Sequence, residues 1–225
     1  AAFWTILCGA AQGVRLERML EHMFHPDEFY GKIPFATLSA DDPNYDANGG
    51  YWLGGVWAPT NFAAIRGMTE QGRSALAREA AIRYLTGMCA VAADPAYGNT
   101  IWECYSPSEY RPATAEDGEI VRAAFVGWSG LAPVTMLIEN IIGLHFNAKE
   151  NAVTFDIFPG GQCGVENMLF NGGKVSVVCT EYVPALGQST IKVTAEKPFT
   201  LIVKTNYNWE DTVCQIPAGT TEIRI

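Results

Sequence analysis

Residues 129–157, SGLAPVTMLIENIIGLHFNAKENAVTFDI, decide the fold. In the first part of this stretch apolar residues recur at helical spacing, and Gly143 is expected to end the helix. In the last part Val153, Phe155 and Ile157 alternate with polar residues, which is the period of a half-buried strand. The chain therefore changes from helices to strands near Asn147.

Helical periodicity extends back through the residues before this change. The first predicted helix has an apolar face of Leu16, Met19, Leu20 and Met23. A second helix begins at Ala58-Pro59-Thr60, because proline tolerates the first helical turn. The longest helix covers residues 73–93 and ends at Asp94-Pro95; its inward residues are expected to be Leu76, Ile82, Leu85, Met88 and Cys89. Ser129 is expected to cap the last helix, which is apolar nearly all round and should be buried on most sides.

Strand periodicity dominates the residues after Asn147. Asn171-Gly172-Gly173 is a strong hairpin signal. Short alternating runs occur at 153–157, 175–179, 191–193, 199–204, 213–216 and 221–225. Six or seven such strands predict an antiparallel sandwich. The predicted fold class is α + β, with a helical domain at 1–146 and a β-sandwich module at 147–225.

Composition excludes several classes of partner. The chain has 225 residues, 48% hydrophobic and 17% charged, with a net charge of -9. An acidic chain without a basic run is poorly suited to bind nucleic acid or an anionic membrane. No apolar stretch reaches the ~18 residues needed to span a bilayer, so no membrane partner is expected.

Cysteine and histidine spacing gives no metal or cofactor signal. The six cysteines show no CxxC spacing and no paired rhythm, which favours buried thiols in a reducing compartment, hence a cytoplasmic protein. The histidines, His22, His25 and His145, lack a ligand spacing, so no metal site is predicted. Nucleotide-binding glycine motifs are absent, and no cofactor is expected.

Two long segments between helices, 39–57 and 97–128, are rich in aromatic residues interleaved with carboxylates. Loops of this length are usually functional. Aromatic faces stack on the C–H faces of sugar rings, although the same residues would also serve as core between helices. The candidate substrate-binding residues are Tyr51, Trp52, Trp57, Trp102, Tyr105 and Trp128.

Glu103 is the candidate catalytic residue. It lies between bulky aromatic residues in TIWECYSP, residues 100–107. A carboxylate in such surroundings can have a tuned pKa and act as a base on water. The alternative is a structural carboxylate that caps a turn or pairs with an arginine.

Three segments resemble the trehalase-like glycosidases of glycoside hydrolase families 63 and 37, and they occur in the same order as in that family. GGYWLGGVWAPTNF, residues 49–62, is similar to the family's GGYW-x-G-x-W-x-x-x-N-Y segment. Residues 100–107 resemble the segment that holds the family's catalytic base, and FVGWSGL, residues 125–131, resembles the segment that opens its last inner helix.

The resemblance implies an inverting glycosidase built on an (α/α)6 barrel. Glu103 would be the general base, the candidate aromatic residues would surround the sugar, and the substrate would be an α-glucoside or oligosaccharide. Leu53 stands where many relatives have arginine, and nothing before Gly49 resembles the segment of the family's general acid. We therefore expect a C-terminal portion, with part of the barrel and the base but without the acid.

Part of a barrel would expose apolar helix faces, so a homo-oligomer, most simply a dimer, is expected. Two other functions stay open from the sequence. The chain could be a carbohydrate-binding module without catalytic activity, or an inert fragment that self-associates.

Overall fold

A computed structural model describes residues 2–158, 161–183, 188–205 and 210–225. These residues form two compact units, 1–137 and 138–225, and the fold is α + β. The boundary predicted between residues 146 and 147 falls within the first strand, and the two-domain assignment stays a prediction. Within the described ranges no helix has the length and hydropathy that crossing a membrane requires.

The first unit begins with a short helix, α1 (Trp4–Leu7), and continues with three helices that the sequence periodicity predicts. These are α2 (Val14–Met23), α3 (Ala58–Glu70) and α4 (Ser74–Ala93). The predicted face of α2 is confirmed, because Leu16, Leu20 and Met23 are buried. Pro59 lies in the first turn of α3, and α4 stops at Asp94, as predicted.

The buried face of α4 differs from the prediction. Ile82 and Cys89 are exposed, whereas the buried face carries Tyr84, Met88, Val91 and the small residues Ala77, Ala80, Ala81 and Gly87. A Cβ atom at Gly87 would lie 2.5 Å from Cγ1 of Ile33. The small residues face inward because the neighbouring segment approaches the helix closely there.

The last predicted helix is a π-helix, Ala132–Ile142, preceded by a 3-10 turn at Trp128–Gly130. Ser129 lies inside that turn, and its hydroxyl donates a hydrogen bond to the backbone carbonyl of Glu103 at 3.0 Å. The prediction of Ser129 as a helix cap was therefore wrong. Ala132, Met136 and Asn140 are buried, whereas Val134 and Leu137, three residues apart, are exposed, so one side of this helix faces solvent.

The second unit consists of two four-stranded sheets. The strands are β1 (Leu144–Asn147), β2 (Ala152–Ile157), β3 (Cys163–Phe170), β4 (Gly173–Val183), β5 (Gln188–Ala195), β6 (Phe199–Thr205), β7 (Thr212–Ile216) and β8 (Gly219–Arg224). The strand orders are β1-β2-β6-β7 and β3-β4-β5-β8. Five of the six predicted runs lie on strands, and the sixth, 221–225, extends one residue past the end of β8. Because β2 pairs with β6 in parallel, the sandwich is not wholly antiparallel.

The predicted hairpin joins β3 to β4. Asn171 and Gly172 both have positive φ, 46° and 72°, as a two-residue hairpin turn requires. Inward residues of the two sheets then form one core, with Phe155 and Leu201 from one sheet and Val177 and Ile191 from the other. Burial of these alternating side chains explains why the period of two predicts the strands.

Candidate functional site

A short backbone ladder brings three distant segments of the first unit together. Val56 and Tyr105 exchange N–H to carbonyl hydrogen bonds at 2.9 and 3.0 Å. The N–H of Ala113 donates to Cys104, and the N–H of Glu103 donates to the carbonyl of Arg122 at 3.1 Å. The ladder therefore places residues 49–57, Glu103 and Arg122 side by side.

Glu103 is a buried carboxylate with two partners. Its side chain is 3% exposed. Arg122 donates from Nη2 to Oε1 at 2.6 Å and from Nε to Oε2 at 3.3 Å. The hydroxyl of Tyr51 donates to Oε1 at 3.2 Å. The sequence missed Arg122, because no local pattern links it to Glu103, although an arginine partner was the alternative left open.

These contacts keep Glu103 ionised. Hydrogen bonds from the Arg122 guanidinium lower the pKa of Glu103, against the opposing effect of burial, and the Tyr51 hydroxyl lowers it further. Burial and the adjacent carboxylate raise the pKa of Tyr51, so that its hydroxyl stays a donor. At neutral pH the site holds a carboxylate that can accept a proton.

The backbone around Tyr51 fixes the position of its ring. Tyr51 has a φ of 59°, and its N–H donates to the carbonyl of Thr114 at 2.7 Å. Its own carbonyl accepts from the N–H of Gly55 and from Nε1 of Trp57, both at 3.1 Å. A Cβ atom at Gly55 would lie 2.3 Å from that carbonyl oxygen, so only glycine fits there without a shift.

Tryptophan rings beside Tyr51 form a cluster of Trp52, Trp57 and Trp128. The rings of Trp52 and Trp57 stack with centroids 4.1 Å apart and planes 6° apart. The rings of Trp57 and Trp128 are perpendicular, with centroids 5.7 Å apart. Tyr51 also contacts Trp57 edge to face, at 4.7 Å. Trp57 is fully buried, whereas Trp52 and Trp128 are 44% and 45% exposed. The cluster therefore presents two aromatic rings to solvent on a rigid support.

The other two predicted aromatic residues lie deeper. Trp102 is half-buried, and its ring centroid lies 6.3 Å from that of Tyr97. Its Nε1–H donates a hydrogen bond to the Tyr97 backbone carbonyl. Tyr105 is buried, contacts Tyr84 at 6.2 Å, and has a pKa raised to about 12 by burial. Contact of any of these aromatic residues with a sugar stays a prediction.

A surface pocket of about 380 Å³ adjoins Tyr51 and is lined by Ala115, Glu116 and Asp117 as well. Glu116 and Asp117 are exposed. Their carboxylates could accept hydrogen bonds from the hydroxyl groups of a polar ligand.

The cysteines differ from the expectation of buried thiols. Cys104 and Cys179 are buried, but Cys8 and Cys89 are exposed and Cys163 and Cys214 are half-buried. Burial raises the pKa of Cys104, so this thiol stays protonated beside Glu103. The described residues contain no group of three or more potential metal ligands.

Comparison with known proteins identifies the class as glycoside hydrolase. Residues 1–117 match the sequence profile described as the mannosylglycerate hydrolase MGH1-like glycoside hydrolase domain. The chain belongs to this family. The matched range includes Glu103 and Tyr51 and ends before Arg122 and Trp128.

An uncharacterized protein of Borreliella burgdorferi is 27% identical over 183 residues, which are 80% of this chain and 38% of that protein. The chain thus spans well under half of this relative. Two solved structures from Thermus thermophilus are also similar. A GH63 mannosylglycerate hydrolase in complex with glucose has 18% identity and a TM-score of 0.44, over 60% of this chain and 27% of that one. An uncharacterized conserved protein has 17% identity and a TM-score of 0.43, and the match covers 58% of this chain and 28% of that protein.

Proposed function

We propose that the chain carries the general base of an inverting glycoside hydrolase, and that Glu103 is this base. The observation that supports the proposal best is the buried, ionised Glu103 carboxylate, held by Arg122 and Tyr51 in a unit that also presents exposed tryptophan rings. The family of residues 1–117 gives the class of reaction.

An inverting glycosidase needs two carboxyl groups, ~6.5–9.5 Å apart. One protonates the glycosidic oxygen, and the other removes a proton from the water that attacks the opposite face of the sugar. Glu103 would do the second task. The general acid is not assigned to any residue of this chain.

Arg122 covers the carboxylate from the solvent side. Because its side chain is 68% exposed, the guanidinium can turn toward water without unpacking a core. Water would then take its place at Glu103, while the Tyr51 hydroxyl stays on Oε1. In this proposal Arg122 keeps the base ionised before the reaction and gives way to the attacking water.

The tryptophan cluster would bind the substrate, an α-glucoside or short oligosaccharide. Trp52 and Trp128 have exposed faces that could stack on a sugar ring, and Trp57 would support them from below. Trp102 and Tyr105 would contribute by positioning Glu103 from the same loop.

Three further expectations belong to the proposal. The helices of the first unit would form part of an (α/α)6 barrel. Exposed apolar side chains such as Ile82 on α4 and Val134 on the π-helix would be covered in a homodimer. The thiol state of the cysteines favours the cytoplasm.

Hydrolysis of α-glucosyl fluoride provides the test. Fluoride leaves the sugar without being protonated, so the reaction needs the general base but no general acid. The chain should release fluoride, and Glu103→Gln should lower the rate by about 10²–10⁴-fold. Glu109→Gln is the matched control, since Glu109 is an exposed carboxylate in the same loop. A release rate unchanged by Glu103→Gln would refute the role of Glu103.

A carbohydrate-binding module without catalytic activity is the second candidate. It is favoured by the contacts at Glu103, where both carboxylate oxygens already accept hydrogen bonds. This function predicts saccharide binding, measured by calorimetry, that survives Glu103→Gln and is lost in Trp52→Ala. It also predicts no fluoride release.

A further inference from the structure

Two cysteines lie opposite each other on neighbouring strands of the second unit. Cys163 at the start of β3 is in register with Cys179 on β4. Residues directly opposite in an antiparallel pair have Cα atoms about 4.5–5.5 Å apart and side chains on the same face. A disulfide requires Cα atoms about 4.4–6.8 Å apart, so the pairing meets this requirement.

Both side chains point toward the core of the sandwich. Cys179 is fully buried on the same face of β4 as Val175 and Val177, and Cys163 packs against that core from a half-buried position. Both residues are in the thiol form. Burial raises the pKa of Cys179, and the neighbouring Cys163 raises it further.

The two thiols differ in access to solvent. Cys163 is half-buried on β3, which is an edge strand that pairs with β4 alone in its sheet. Cys179 is buried, and its thiol donates to the carbonyl of Glu181 at 3.3 Å, beside a register shift in the pairing of β4 with β5. A reagent from solvent would therefore meet Cys163 first.

We propose that Cys163 and Cys179 form an intrachain disulfide when a small-molecule disulfide reacts with the folded chain. The Cys163 thiolate attacks the reagent, forms a mixed disulfide and releases one reagent thiolate. Cys179 then attacks the Cys163 sulfur, the second reagent thiol leaves, and the two cysteine protons pass to the released thiolates. Two protein thiols are oxidised while one reagent disulfide is reduced to two thiols.

The cross-link would tie the edge strand to its sheet. Its ring encloses residues 164–178, and closing a ring of this size raises the folding equilibrium constant roughly a hundredfold. Backbone amides of β3 should then exchange hydrogen more slowly with solvent, because fraying of the edge strand is restricted.

Oxidised glutathione and the folded chain of 225 residues provide the test. After alkylation in denaturant, non-reducing peptide mapping should show one linked pair containing Cys163 and Cys179, two hydrogen atoms lighter than the separate peptides. Exposed Cys8 and Cys89 should carry glutathione, which shows that the reagent is active. Slower hydrogen exchange in β3, reversed by dithiothreitol, is the second expected result.

Matched variants give the control. Cys163→Ser should abolish the linked pair, whereas Cys214→Ser should leave it intact, because Cys214 is a half-buried thiol on β7 of the other sheet. Glutathione that stays on Cys163 without a cross-link would overturn the proposal. A link to any other cysteine, or unreacted Cys163 and Cys179 beside modified Cys8 and Cys89, would overturn it as well.

Discussion

Replacing Glu103 by glutamine tests whether the carboxylate is held in its ionised form. The substitution keeps the shape of the side chain and removes its charge. Both folded-state partners, Arg122 and Tyr51, keep their positions in the backbone ladder, because their backbone hydrogen bonds do not involve the Glu103 side chain. A loss of stability therefore reports on the charge of Glu103 and on the one acceptor oxygen that glutamine lacks, and only the charge makes that loss depend on pH.

The contacts give the size of the effect. Three hydrogen bonds reach the carboxylate, one short, at 2.6 Å, and two long, at 3.2 and 3.3 Å. Hydrogen bonds to a charged group contribute about 1.5–3 kcal/mol. A glutamine still offers one acceptor oxygen and solvent screens the exposed guanidinium, so we expect Glu103→Gln to lower the free energy of unfolding by about 1.5 kcal/mol at neutral pH.

The effect should depend on pH. The pKa of Glu103 is lower in the folded chain than its ordinary value, so the charged form stabilises the folded state. This stabilisation is fully present above the ordinary pKa and is lost as the pH falls through it toward the lowered value. The difference between wild type and Glu103→Gln should therefore be largest near pH about 7 and shrink toward pH about 3.

Urea unfolding followed by tryptophan fluorescence is the assay. The signal comes mostly from the first unit, where Trp4, Trp52, Trp57, Trp102 and Trp128 lie. Glu109→Gln removes an exposed carboxylate of the same loop and should leave the unfolding curve nearly unchanged at both pH values. If Glu103→Gln lowers the unfolding free energy equally at both pH values, or leaves it unchanged at neutral pH, the Glu103 carboxylate is not stabilised in its ionised form by its partners.

Three other substitutions test the support of the site, each by urea unfolding against wild type. Trp57→Ala should lower the unfolding free energy by about 3–5 kcal/mol, because it empties a fully buried position; a loss below about 1 kcal/mol would contradict the packing of the cluster. Gly55→Ala should destabilise the first unit and weaken its near-UV circular dichroism, because the new Cβ meets the Tyr51 carbonyl; an unaltered spectrum would speak against that close approach. Asn61→Ala should lower the unfolding free energy by about 2 kcal/mol, because the backbone N–H and carbonyl of buried Phe35 lose the Asn61 side-chain amide as their hydrogen-bond partner. An unchanged unfolding free energy would contradict these two hydrogen bonds.

Sequence periodicity predicted the elements whose burial is one-sided. The apolar face of α2 and the alternation in β2 and β6 each identify one buried side, so their element type and inward residues follow. The turn at Asn171 and Gly172 was equally predictable, because few residues other than asparagine and glycine adopt positive φ readily.

Other features depend on contacts that no local pattern records. On α4 both sides are apolar, and the close approach of Ile33 to Gly87 selects the small-residue side. The parallel pairing of β2 with β6 joins strands that are distant in the chain.

The candidate site was predictable only in part. Glu103 and the aromatic residues stood out through their composition and motifs. The partner Arg122 did not, since the backbone ladder alone brings it to the carboxylate.

The anomer that forms first from α-glucosyl fluoride tests the proposed mechanism most directly. Proton NMR of the fresh reaction distinguishes α- from β-glucose before the two interconvert. If Glu103 activates water on the face opposite the leaving group, β-glucose appears first, and Glu103→Gln slows its formation by about 10²–10⁴-fold. First appearance of α-glucose, or no glucose from the wild-type chain, would contradict an inverting base at Glu103.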